Sequence, residues 1–442
     1  MPISSKHPDY LVRSPQYQRC RDVISGSDTV KARGQEYLPP LSGQSGVEYE
    51  RYKKRGLFFS VASRALSGLT GLASRRSPKL EYPPQMDKYF VDTANQGTSF
   101  NELFITMLNE TMLQSRMFLL IDFPSEGGDP YILTYTAEQV INWDIIDNVL
   151  QWVVIQEQTY EFDNKDPYVR KPVTRYRRLA LINGEYHVTV FNEKNKIVSD
   201  VVPTVRNVPL AFIPGFFVTP NGLNAEAVKP AMLDICDLNL KYYELMTDYM
   251  NSLHLVAVPT PIFTGAVQSE TITLGPNGAI VMPEPTSKAF YLEFNGQGLQ
   301  SVENALDTLM RNMALFSSRL TADTGKGSES AISVQLRYAS ESATLSSVVN
   351  AVQAGLTQIY NWVADFMGVP SPTVELYKQF LNTKLTATEI DSWTKAYVSG
   401  AIDKETWWNI LVNGEVPVDA ALKELDTPIK DTVPAADPMA IG

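Results

Sequence analysis

Pro230-Ala-Met-Leu-Asp-Ile-Cys-Asp-Leu-Asn-Leu-Lys-Tyr-Tyr-Glu-Leu-Met-Thr-Asp-Tyr-Met-Asn-Ser-Leu-His254 opens the segment, running to Gly368, whose reading decides the fold. Met232, Ile235, Leu238, Tyr242, Leu245, Tyr249 and Leu253 recur at three-to-four spacing, which predicts a helix over Ala231–His254. Val302, Leu306, Leu309, Met313, Phe316 and Leu320 repeat the pattern over Ser301–Leu320. Between the two lies turn-broken sequence with strand candidates at Val256–Thr264, Glu270–Leu274, Gly278–Met282 and Ala289–Phe294. After them Thr321-Ala-Asp-Thr-Gly-Lys-Gly-Ser-Glu-Ser330 reads as a loop. Then Leu345, Val348, Val352, Leu356, Ile359, Val363 and Phe366 mark one long helix, Ala331–Met367. At 1.5 Å per residue it spans about 55 Å, the length of a strut. The order is a shaft of two helices with a β cap at one end and a Gly/Ser-rich loop at the other. That suits a component of an assembly better than a substrate pocket.

Working outward, residues 1–80 hold basic and aromatic helical fragments. Tyr49–Arg76 combines Lys53, Lys54, Arg55, Arg64, Arg75 and Arg76 with Leu57, Phe58, Phe59, Val61, Leu66, Leu69 and Leu72. It reads as a surface helix with its apolar side on a core, or as a membrane-surface or nucleic-acid helix. A second amphipathic helix is expected over Thr98–Met117, capped by Thr98 or Ser99 with Glu102 in the first turn. From Met117 to Phe217 the period becomes strand-like, and Asn183-Gly184 between Leu179–Ile182 and Tyr186–Phe191 signals a tight hairpin. Past Pro370 and Pro372 come a short strand, Thr373–Tyr377, and two compact helices. Thr386 with Glu389 caps the first, and Asp403 caps the second, which ends near Gly414. The fold class is α+β, and the Pro/Ala/Asp-rich tail 426–442 reads as disordered.

Composition narrows the functions. The 442 residues suffice for two or three compact units. No apolar run spans a membrane, and the first residues lack a secretion signal. Cys20 and Cys236 read as reduced, buried thiols of a cytoplasmic product, and three histidines are too few and scattered for a metal centre. A net charge of −11 argues against a surface that grips nucleic acid throughout. It is compatible with an acid-walled passage that DNA slides through.

Two tempting motifs fail on context. Gly325-Lys326-Gly327-Ser328 resembles half a phosphate-binding loop, but Leu320 and Gly327 stand where that loop needs Gly and Ser or Thr. Asp323-Thr324-Gly325 spells the aspartic-protease triplet, yet it follows a helix and has no second copy to share a proton. An aspartic-protease-like or phosphate-binding enzyme centred on Asp323–Ser328 is the alternative reading. Asp234, Asp237 and Glu244 read as solvated or inter-subunit charges, with Lys241 one helical turn from Asp237. No catalytic residue, metal ligand or cofactor site is expected.

His7-Pro8-Asp9-Tyr10, Arg21-Asp22-Val23-Ile24-Ser25-Gly26, Val30-Lys31, Tyr37-Leu38-Pro39, Tyr49-x-x-Tyr52 and Arg175-Tyr176-Arg177-Arg178-Leu179 resemble tailed-bacteriophage portal proteins, as does the element order. The resemblance covers nearly the whole chain except the tail. It implies a ring, dodecameric at one capsid vertex of the virion, assembled in the host cytoplasm. Double-stranded DNA enters through such a ring in genome packaging and leaves through it in ejection. Implied partners are further copies of the chain, the terminase large subunit, a head–tail adaptor, the major capsid protein and scaffold, with no membrane. The parts implied are a wing (1–229), stem helices (230–254 and 301–320), a β-rich clip (255–300) and a tunnel loop (321–330). A long wing helix with its strand (331–384) and a small helical crown (385–425) complete them. Carried over, Arg319, Thr324, Lys326 and Ser328 face DNA, with Arg319 and Lys326 on its phosphates. Thr264, Glu270, Asn277 and Lys288 dock adaptor or terminase, and Tyr242, Met246, Tyr249 and Met250 meet the neighbouring subunit. The chain lacks the extended C-terminal helical barrel of longer family members. Other head–tail components, such as adaptors, are generally much smaller.

Overall fold

The computed structural model describes residues 2–94, 97–124, 129–162, 166, 168–256, 260–264, 286, 288–292, 297–318, 331–378 and 387–413. The chain divides into two units, residues 1–378 and 379–442.

The first unit begins with α1 (Pro8–Ser25) and α2 (Ser27–Ala32), followed by α3 (Gly46–Arg55) and α4 (Val61–Ala73). The single helix expected over Tyr49–Arg76 is thus two helices. Gly56 lies so close to α7 (Leu233–Val256) that a Cβ there would meet the Thr247 hydroxyl at 2.4 Å. Fully buried Asn239 of α7 holds the extended link: its amide donates to the Phe59 carbonyl at 2.8 Å, and its carbonyl accepts from the Ala62 N–H at 3.0 Å. Side-chain hydrogen bonds from a neighbouring helix outweigh the local helical pattern here.

Next come β1 (Lys79–Glu81), α5 (Asp87–Val91) and α6 (Phe100–Gln114). Ser99 and Glu102 close a capping box on α6. That helix stops at Ser115, which takes a left-handed conformation, so Met117 begins a strand and not the last helical turn. This strand, β2 (Met117–Asp122), is buried at every position. With β3 (Tyr131–Thr136) and β11 (Gly215–Val218) it makes a sheet of order β11-β2-β3. The strand-like period expected from Met117 onward is therefore present, while the helix expected to reach Met117 stops short because its left-handed cap falls on Ser115 and not on a glycine.

The predicted meander is a separate sheet of order β4-β5-β6-β7-β8, antiparallel throughout. Its strands are β4 (Val140–Ile146), β5 (Val149–Phe162), β6 (Arg170–Ile182), β7 (Glu185–Asn192) and β8 (Ile197–Val201). Asn183 and Gly184 turn β6 into β7 with φ of 53° and 84°, the left-handed pair that suits a twisted two-residue hairpin. Asp147 and Asn148 do the same between β4 and β5. A two-residue pair, β9 (Thr204–Val205) and β10 (Val208–Pro209), follows.

Then α7 leads through the pair β12 (Thr260–Thr264) and β13 (Lys288–Leu292) to α8 (Gln297–Ser318), and α9 occupies Ala331–Met367 as expected. Gly368 and Val369 end α9 by donating back to the Asp365 and Ala364 carbonyls, with Gly368 left-handed at φ 71°. Past it, β14 (Thr373–Glu375) pairs with β1 and ties the end of this unit to residues near its start.

Leu345, Val348, Val352, Leu356, Ile359 and Val363 of α9 are all buried. Tyr360 stacks on Phe90 at 4.5 Å and donates to the Tyr89 carbonyl. This core lies between α9, α6 and the β2 sheet. The second unit contains α10 (Ala387–Val398) and α11 (Lys404–Asn413). Asp403 accepts from the Thr406 N–H at 2.7 Å, the expected cap, and Trp407 stacks on Tyr397 at 4.9 Å. The cap expected at Thr386 and the tail 426–442 lie outside the described residues.

Candidate functional site

The shaft is built by α7 and α8 packed along each other, with α4 against α8. Tyr242, Leu306 and Met313 are buried at its centre, flanked by Leu238, Leu245, Met246, Tyr249, Val302, Leu309 and Met310. Of the four residues expected at a subunit seam, Tyr242 is buried here, edge-on to Phe59 at 6.0 Å. Burial pushes its hydroxyl pKa up, with the Asp307 carboxylate adding to the effect. Met246, Tyr249 and Met250 are half-buried and keep area for a further contact.

Among the described side chains of α8, the covered stripe comprises Val302, Leu306, Leu309, Met310 and Met313. Gln300, Glu303, Asn304, Asp307, Thr308, Arg311 and Asn312 are exposed, giving a polar face with two carboxylates and one cation. At the far end of the shaft, Thr264 and Lys288 are direct partners in the β12–β13 register and both are exposed. The structure therefore brings together two of the four expected docking residues. Glu270 and Asn277 lie outside the described residues, as do Arg319, Thr324, Lys326 and Ser328 and the whole Asp323–Ser328 segment.

The N-terminal motif residues act as ties between elements. Arg21 of α1 donates to Glu110 at 2.6 Å and to Glu138 at 2.8 Å. Burial alone would lower its pKa; the two carboxylates outweigh burial and hold it above the ordinary arginine value. Asp22, buried, accepts from Arg33 and from the Tyr37 hydroxyl, both at 2.7 Å. Tyr10 donates to the Glu138 carbonyl, Tyr49 to the Leu38 carbonyl and Tyr52 to Asp248. Residues of chemical type thus fix helices against sheets, and no nucleophile–base pair forms among them.

Three features escaped sequence reasoning. Arg116 is fully buried between Trp143 and Phe217, its guanidinium 3.9 and 4.1 Å from the ring centres. Its one hydrogen bond, to the Ala225 carbonyl, is long at 3.4 Å. Burial pushes its pKa down to about 10, so it remains charged at neutral pH. The only signal was a lone cation at the head of an apolar run. Cys20 and Cys236, distant in sequence, lie against each other where α1 crosses α7, beside the Arg19–Asp237 ion pair at 3.0 Å. The hydrogen bond that the Cys236 thiol donates to Cys20, then burial, drives the Cys236 thiol far above its ordinary pKa, which makes it unreactive as a thiolate. A cleft of about 510 Å³ lies beside Trp143, lined by His7, Asp9, Asp144 and Glu226 among others. Its carboxylates do not converge: among the described residues, no group of three or more His, Cys, Asp or Glu could hold a metal ion. No helix among them is long and apolar enough to cross a membrane.

A family model described only as a domain of unknown function (DUF4055) matches residues 231–367, the shaft through the long helix and less than a third of the chain. No curated protein matches. Among solved structures, the chain is similar to a component of the neck of an empty gene transfer agent particle. There the identity is 14%, the coverage 84% of this chain and 94% of that one, and the TM-score 0.42. It is likewise similar to a chain of the native gene transfer agent virion, with 14% identity, 88% and 99% coverage, and a TM-score of 0.42.

Proposed function

We propose that this chain is the subunit of a phage-type portal: a dodecameric ring at one capsid vertex through which double-stranded DNA is packaged and ejected. The observation that carries the reading is the shaft itself. Two helices, joined through the β12–β13 pair in which Thr264 and Lys288 are exposed, leave on α8 a polar face carrying Glu303, Asp307 and Arg311 among its described residues. In a ring it lines a passage, where Glu303 and Asp307 keep the phosphate backbone from adhering and scattered cations supply weak, sequence-blind contacts.

The parts take their roles from that arrangement. Residues 1–229 and 331–384 form the wing, held rigid by the α9 core. Residues 255–300 form the clip, and Thr264 and Lys288 stand where terminase and then a head–tail adaptor would dock. Residues 321–330 form the tunnel loop, with Arg319 and Lys326 on the DNA path and Thr324 and Ser328 beside them. Residues 385–425 form the crown. Met246, Tyr249 and Met250 bury their remaining area against the next subunit, while capsid protein and scaffold surround the ring. The chain performs no chemistry of its own.

Negative-stain imaging and mass photometry of the purified full chain test this directly. Closed rings with a central hole are expected, and protein that stays monomeric both in solution and in the particle would overturn the reading. Deleting residues 262–295 should spare the ring and abolish adaptor docking. Loss of the ring itself would remove the clip assignment.

A further inference from the structure

The meander sheet has two outer strands, β4 and β8, and among the described residues only β4 is covered by backbone hydrogen bonds from another segment. The His7 N–H donates to the Ile141 carbonyl at 2.9 Å and the Asn142 amide to the Ser5 carbonyl at 2.9 Å, so the N-terminal segment lies along β4. Beyond β4, however, β5 runs on. Strand β4 pairs with β5 no further than Ile155, whereas β5 and β6 continue pairing to Phe162 and Arg170. Residues 157–162 therefore form the free side of a two-stranded ribbon among the described residues. On the opposite edge of the same sheet, β8 is exposed at every position.

A free edge is a row of unpaired N–H and C=O groups, and proteins usually blunt it with proline, charge or a cover. This chain treats its free edges unequally. The β6 side of the ribbon carries Pro172, opposite Tyr160, where a residue lacking an N–H is tolerated only at an open edge. The β5 side and β8 carry no proline. They carry apolar side chains instead: Tyr160 is 67% exposed, Phe162 62%, Ile197 61% and Val198 49%. A two-stranded ribbon is marginally stable in water by itself, so these two edges call for a cover.

We propose that β8 of one copy pairs with residues 157–162 of the next, so that the meander continues across the subunit boundary. The occupant is a second copy of this chain because the two surfaces lie on opposite edges of one sheet. Joining unlike edges is heterologous: the same contact recurs at every subunit and closes into a ring when the rotation closes. Lengths agree, with six residues on the ribbon edge and five in β8. The pairing rests on the ring reading above and gives that ring a seam.

Both native cysteines are buried, so added surface cysteines report alone. Full-length protein would carry one substitution on the ribbon (Gln158→Cys, Tyr160→Cys or Phe162→Cys) and one on β8 (Ile197→Cys, Val198→Cys or Val201→Cys). The nine pairs span the possible registers, and circular dichroism selects those that fold as wild type. After copper–phenanthroline oxidation, a non-reducing denaturing gel should show at least one pair giving a covalent ladder from dimer up to the ring's subunit number. Single substitutions should give dimers at most. Intact rings by negative stain with no ladder from any folded pair would overturn the seam and leave the ring reading standing. A ladder that stops at dimer for every pair would also overturn it, as like-edge pairing. Failure of unmodified protein to form rings would overturn both.

Discussion

Helices α8 and α9 are neighbours in sequence and opposites in packing. Both show clear apolar periodicity, yet α9 buries Leu345 to Val363 against α6, β2 and β11, while α8 buries only Leu306 and Met313 among its described residues. The difference teaches what each helix is for. From Leu345 to Val363, α9 meets partners within the chain along its apolar face. Among its described side chains α8 is fixed along one stripe and leaves a polar face. Periodicity says that a helix has a buried side; how much of its circumference is buried depends on elements far away in sequence.

The sharpest way to break this contrast is to truncate both helices. Ile359→Ala should cost about 4 kcal/mol, because the surrounding aromatic core cannot collapse into the void. Leu306→Ala should cost about half as much, since the thinner packing around it can relax. Urea denaturation of the full chain measures both. Equal losses would mean that α8 is as much a core helix as α9.

A second test asks whether the wing is held by specific charge ties as well as by apolar burial. Arg21→Ala leaves Glu110 and Glu138, both partly buried, facing each other without their shared cation. A loss of about 2–3 kcal/mol is expected, below that of a fully buried pair because the site keeps some solvent. Arg21→Met should be little better, since the missing charge matters more than the missing volume. Recovery by methionine would assign the residue a packing role only.

Arg116 sharpens the comparison from the opposite direction. It is a buried cation with no ion pair among the described residues, so its aromatic sandwich, helped by the more distant Asp9 carboxylate, must offset its desolvation. Arg116→Met keeps the volume and the contacts with Trp143 and Phe217, and should fall within about 1 kcal/mol of wild type. Arg116→Ala opens a cavity and should cost several times more. If methionine proved as costly as alanine, the guanidinium itself would be required.

These contrasts explain which parts were legible in sequence. The long helix was read to the residue because both ends carry local signals: a Gly/Ser-rich loop before Ala331, and Gly368 followed by Pro370 after Met367. The Asn183-Gly184 hairpin was legible for the same reason. The split of Tyr49–Arg76 was not, because it depends on Asn239 and on the room above Thr247, some 180 residues away. Nor was the end of α6: the expected helix ran on to Met117 because the left-handed stop falls on Ser115 with no glycine to mark it, although the strand-like period from Met117 was legible. Tyr242 appeared available to a neighbouring subunit because an apolar stripe does not say which chain will cover it. At α6 the local code was explicit, and its worth can be measured. Glu102 accepts from the Ser99 backbone and hydroxyl, which lowers its carboxyl pKa. A lowered carboxylate stabilises the fold above its unfolded pKa, near 4.5, and loses that contribution as pH falls through the folded value. Ser99→Ala should therefore lower the unfolding midpoint at neutral pH and progressively less in acid, as thermal unfolding across pH would show. A cost independent of pH would place the effect in Ser99 alone.

The smallest effect on stability should accompany the largest on function. Glu303→Lys with Asp307→Lys changes only exposed positions of α8, and thermal unfolding should shift by no more than about 0.5 kcal/mol. The same exchange adds four positive charges to the α8 face of each chain, and the proposed ring would multiply that by its copy number. A wall that repelled phosphate would then attract it, so DNA would bind the isolated ring with a steep salt dependence and pass through it more slowly. The parallel reversal on the wing, at Asp28 and Glu36, carries the same charge change and should leave passage untouched. If both pairs slow it equally, net charge is responsible and α8 loses its claim to line the passage; if only the shaft pair does, the thin packing of α8 is what its position on the channel requires.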